Sequence, residues 1–132
     1  MSAASSLTDP MLGLVAKRLI DAEHRVITTK AACAEARERY REATEERRRR
    51  GGVLQRAIER TPDDPKSLPQ HFEALGLIYA NYKAACSDVD RARRILLAAK
   101  REALEAHDDV GKILENQFKE LPLFPEPAGV RA

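Results

Sequence analysis

LGLIYANYKAACSDVDRARRILLAAKREALEAHDDVGKI, residues 75–113, decides the fold. Leu75, Ile78, Tyr82, Ala85, Val89, Ala92, Leu96, Ala99, Ala103, Ala106, Val110 and Ile113 recur at alternating steps of three and four. The mean step is 3.5 residues, kept over more than five heptads, and such a seam winds a helix around a partner with left-handed supercoil. The partner is upstream in the same chain. Leu12, Val15, Leu19, Ala22, Val26, Thr29, Cys33, Ala36, Tyr40 and Ala43 repeat the pattern, which resumes in phase at Leu54 and Ala57. Ordinary helices average about 11 residues, so two seams of this length need each other.

Breakers set the boundaries. Asp9-Pro10 reads as a cap followed by a first-position proline. Thr61-Pro62-Asp63-Asp64-Pro65 interrupts the chain, and Ser67 with Gln70 has the spacing of a capping box. Pro122, Pro125 and Pro127 make the end of the chain an extended tail. The predicted class is all-α: a long antiparallel helical hairpin, or coiled coil, that can dimerise into a four-helix bundle and carries a Pro-rich tail. Its parts are a flexible N-terminus at 1–9, a helix at 10–60, a loop at 61–68, a helix at 69–120 and the tail at 121–132. Gly51-Gly52 costs a helix about 2 kcal/mol relative to alanine, which predicts a kink or a frayed turn there. Folding at 61–68 pairs residues whose numbers add to about 129, such as Cys33 with Leu96 and Leu19 with Val110.

Composition closes other routes. The 132 residues are 33% charged and 5% aromatic, with no Trp, six Gly and seven Pro, too few turns and β-formers for a sandwich or barrel. No apolar run approaches the ~20 residues of a membrane span. Met1–Pro10 has no secretion leader. Under the pairing above, Cys33 lies about 15 Å along the axis from Cys86, so no disulfide is expected and the cytoplasm is the expected location. His24 and His107 fall opposite each other near Asp21 and Asp108, a thin basis for a metal site; His71 has no evident partner. Neither a nucleophile constellation nor a phosphate loop is present. The chain therefore reads as a non-enzyme without cofactor, metal or small-molecule substrate.

Two features point to partners instead. Beside the seam, Ile20, Ile27 and Ala34 repeat every seven residues, as do Leu97, Leu104 and Phe118 with Gly111 between. The hairpin seam does not cover them, which predicts a second copy or another protein on that face. Leu123 and Phe124 in the tail are a further docking element, in trans or folded back in cis. The second feature is basic. Arg47, Arg48, Arg49, Arg50 and Arg56 gather near the loop, while residues 102–120 are acidic. Such a tip fits an acidic protein face or nucleic-acid phosphates, and the latter is the alternative function. Base-stacking aromatics are absent from residues 41–60, which disfavours single strands.

Over residues 10–120 the chain resembles, in pattern, the stalk or chaperone-escort proteins of flagellar and type III export machines, which are long helical hairpins rich in Ala, Arg and Glu. Virion and phage-tail assembly proteins share the outline. Secreted bacterial helical hairpins carry a Trp-x-Gly turn that is missing here. The resemblance rests on outline, without a diagnostic motif. It implies a helical-hairpin spacer or adaptor within a larger complex.

Overall fold

The computed structural model describes the backbone of residues 3–120 and the side chains of residues 13–117. Two helices, α1 (Ala3–Glu59) and α2 (Leu68–Glu120), pack against each other as a helical hairpin, with no strand among the described residues. No helix among them is long and apolar enough to cross a membrane. The fold divides into two compact units. The loop unit comprises residues 32–100; the terminal unit, among the described residues, comprises 3–31 with 101–120.

The seam positions are where the sequence pattern places them. From Val15 to Ala57 on α1 and from Leu75 to Ile113 on α2, every seam residue named above is buried or half-buried. In the loop unit, Cys33, Ala36 and Leu96 form one cluster, with Tyr40 and Ala99 packed on it, and Ala85 and Val89 are also buried. In the terminal unit Ala106 is fully covered. Small residues let the helix axes approach closely, but each alanine layer contributes only about 1 kcal/mol.

Contacts across the seam refine the register. Arg25 reaches Glu105 and Asp109, Gly51 adjoins Tyr82, and Thr61 meets His71. These residue numbers add to between 130 and 134, slightly above the expected 129. The cause is side-chain direction. On a helix each side chain leans toward the N-terminus, so the residue that covers a spot lies about one position C-terminal to it. Two antiparallel helices each contribute that offset, which raises the sum of contacting numbers by about two. The predicted partners Cys33 and Leu96 still share one cluster.

Three boundaries differ from expectation. First, α1 starts at Ala3, not at Pro10. Pro10 therefore sits inside the helix, where it removes one backbone bond and its ring crowds the carbonyl of Ser6; propensity alone does not account for the earlier start. Second, α1 runs unbroken through Gly51-Gly52, so the frayed turn expected there is absent, and neither glycine has a positive φ. Gly51 has a packing role instead: a Cβ there would stand 3.3 Å from the Tyr82 ring. Gly52 faces only the mobile end of Arg56, at 3.6 Å. Gly52→Ala is therefore expected to stabilise the chain by about 1 kcal/mol, while Gly51→Ala gains less because the Tyr82 ring must shift. Thermal melts of the two variants check the ordering.

Third, the loop is capped differently. The Ser67 carbonyl accepts the His71 N–H at 3.1 Å, which makes Ser67 the residue before α2, as the capping box predicts. Its hydroxyl, however, donates to Asp64 Oδ2 at 3.4 Å. The Asp64 carboxylate also accepts the Lys66 N–H at 3.1 Å, so it organises the turn. Pro69 follows at the second helical position, where a missing N–H leaves nothing unsatisfied. Asp64→Ala is expected to cost about 1 kcal/mol, more than Ser67→Ala, read as a shift in the denaturation midpoint.

Candidate functional site

The apolar row predicted beside the seam is exposed. In the terminal unit Ile20 is 65% exposed, Ile27 66% and Leu104 72%; Leu97, in the loop unit, is 50% exposed. Phe118 lies in α2, but its side chain is outside the described residues, as are Leu123 and Phe124. The side of the hairpin that these residues occupy follows from register. Arg25 and Asp109 each immediately precede a seam residue, Val26 and Val110, and they meet: Arg25 Nη1 donates to Asp109 Oδ2 at 2.8 Å. In an antiparallel pair, residues before that seam row meet on one side, and residues following it face the other side. Ile20, Ile27 and Leu104 all follow such residues, so within the terminal unit they share the face opposite the Arg25 ion pair. Arg25 also stands 3.9 Å from Glu105. This cross-helix bridge escaped the sequence reading, which counted acids and bases along each helix and not across the seam.

Other exposed apolar side chains were also missed. Ile58, Phe72 and Tyr79 in the loop unit are 53%, 55% and 50% exposed. Each follows the second row of the seam, next to Ala57, His71 and Ile78, a signal that heptad spacing alone carries. Of the three, Ile58 lines a shallow groove of about 420 Å³, with Gly51, Leu54 and Tyr82. Lys83 Nζ sits 5.8 Å from the Tyr79 ring centre. The Tyr82 hydroxyl is pushed above its usual range, chiefly by its hydrogen bond with the Cys86 thiol.

The basic residues near the loop are largely engaged with their own helix. Arg49 lies 3.0 Å and Arg50 2.8 Å from Glu46, and Arg48 lies 3.8 Å from Glu45. Glu45 and Glu46, one turn before these arginines, supply the partners. Arg47 is half-buried at a seam position and Arg56 is exposed. One turn earlier, Arg41 donates to both oxygens of Glu38, at 2.5 and 3.1 Å, which lowers the Glu38 pKa. A groove of about 640 Å³ in this region has mutually paired arginines and glutamates among its walls.

Cys33 is buried and Cys86 half-buried, both as free thiols. His24 and His107 are exposed, and among the described residues no three His, Cys, Asp or Glu side chains stand close enough to hold a metal ion. Asp108 is paired with Lys112 at 3.2 Å. His71, which has no partner in the sequence reading, has one in the fold: its Nε2 lies 3.2 Å from Thr61 Oγ1, tying the two ends of the loop together. No family model matches the chain, and no curated protein or solved structure shows significant similarity to it.

Proposed function

We propose that the chain is a non-enzymatic interaction protein, a helical-hairpin spacer or adaptor that docks through the exposed apolar row into a larger assembly. The observation that carries this reading is the exposure of Ile20, Ile27 and Leu104 at helical repeat spacing on one face. Single exposed leucines are ordinary, but large apolar side chains aligned on one face mark an interaction surface. The thin core adds support. Among the described residues three of the six buried side chains are alanines, so burial on a partner is a substantial addition to the hairpin's own stabilisation. The outline shared with export-machine and phage assembly proteins suits the same role, and free Cys33 and Cys86 suit a reducing compartment.

The nucleic-acid alternative is weaker, because Arg48, Arg49 and Arg50 each have a carboxylate within 4.0 Å. The test is a pull-down with the immobilised full chain against its Ile20→Glu/Ile27→Glu variant. The docking reading expects a defined protein set on the parent to fall at least about tenfold on the variant, a loss of more than one kcal/mol of binding. Equal retention by both contradicts it. Salt-sensitive binding to duplex DNA at about 50 mM salt, abolished by replacing Arg48–Arg50, is the outcome that favours the alternative.

A further inference from the structure

We infer that the face bearing Ile20, Ile27 and Leu104 is closed by a second copy of this chain, with residues 13–31 of each copy stacked on residues 101–117 of the other. The inference rests on the interaction reading above and names the partner.

Charge selects this arrangement. Arg25 and Asp109 pair on the opposite face, so the charges that count are those on the stacked side: Lys17, Glu23 and Lys30 give residues 13–31 a net +1, and Arg101, Asp108 and Glu115 give residues 101–117 a net −1. A two-fold axis parallel to the helices lays each basic segment on the acidic segment of the other copy. A two-fold axis across the helices lays like on like, +1 on +1 and −1 on −1, which costs repulsion along the contact. Only the first arrangement is complementary, and it is isologous, so it closes at two copies.

Shape agrees with charge. An axis parallel to the helices preserves axial position, so the intermolecular register repeats the intramolecular one. Ile27 then falls beside Leu104 of the second copy, and Ile20 falls over Gly111 of the second copy. The space at Gly111 is open, with nothing within 4 Å of where a Cβ would be. A large side chain over a glycine is the complement that close helix packing requires. The row nearer the seam brings Ala16 against Leu114, and Glu23 against His107, a carboxylate facing an imidazole donor. One polar layer of this kind fixes register at some cost in strength. On the outer rim Lys17 faces Glu115 of the second copy.

Scale sets the concentrations needed. The face is two helices wide, roughly 20 Å, and roughly 28 Å long for 19 residues. That is below the standard interface size, in the class of weak and transient contacts, so the concentration range of the test extends high.

Sedimentation equilibrium of the full chain from about 5 to 200 μM tests it. The expected result is a rise from 14.8 kDa toward about twice that mass. Both Ile27→Glu and Leu104→Glu alter exposed side chains, so each should keep the parent's helical circular dichroism and remain monomeric. A second measurement reads the arrangement directly. In a Cys33→Ala/Cys86→Ala background, mixed Ile27→Cys and Leu104→Cys chains should oxidise to the mixed dimer faster than either forms a dimer with itself. A parent that stays monomeric throughout overturns the inference, as does preferential Ile27→Cys self-pairing or a Leu104→Glu variant that still dimerises. A monomeric parent whose pull-down depends on Ile20 and Ile27 leaves the docking reading standing with a different partner. A dimer on this face with no such dependence defeats the adaptor role alone.

Discussion

Leu96→Ala is expected to destabilise the chain by about 3 kcal/mol, the largest effect of any single truncation in the seam. Leu96 is the largest side chain among the buried residues, 7% exposed, and its neighbours in the cluster are Cys33 and Ala36. Cys33, Ala36 and the adjoining Ala99 are too small to fill the space left behind, and Tyr40 is the one large side chain packed on the cluster. The cost therefore includes both the lost transfer energy and the cavity. The same truncation at Leu104, which is 72% exposed, should change monomer stability by less than about 0.5 kcal/mol. Urea titrations followed by circular dichroism separate the two, and equal costs would mean that the buried seam is not where the stabilisation lies.

The second large effect is overpacking. Ala106 is fully covered, and adding three heavy atoms to it forces the helices of the terminal unit apart. Ala106→Leu is expected to cost about 2 kcal/mol despite leucine's good helix propensity. Gly111→Leu, five residues away in open space, should instead raise the helical stability of the monomer by up to about 1 kcal/mol. A leucine that is tolerated at 106 would show that the axes are not held close there.

The seam was legible because its signal is periodic and redundant. More than twenty positions agree on one period, so no single residue decides the assignment, and the burial follows it from Val15 to Ile113. Features that depend on one residue were harder to read. Pro10 reads as a helix start, yet helix formation continues upstream of it. Gly51-Gly52 reads as a kink or frayed turn because propensity sees the missing side chain and not the Tyr82 ring that adjoins Gly51. Asp64 takes over the Ser67 hydroxyl because its carboxylate is close in the turn, a fact of loop geometry and not of spacing. At the candidate surface, the exposure of Ile20, Ile27 and Leu104 follows directly from heptad position. The Arg25 bridge does not, because it requires the cross-helix register to within one turn.

That register is the central claim, and cysteine cross-linking within the terminal unit tests it most directly. In the Cys33→Ala/Cys86→Ala background, the Val26→Cys/Ala106→Cys pair joins seam positions whose numbers add to 132, inside the 130–134 of the cross-seam contacts, so the register places them within the ~7 Å Cα separation that a disulfide needs. Val26→Cys/Ile113→Cys displaces one partner by a heptad, about 10 Å along the axis. The expected result is an intramolecular disulfide that forms at least about tenfold faster in the first pair than in the second. Equal rates, or faster oxidation of the second pair, would contradict the antiparallel seam as described.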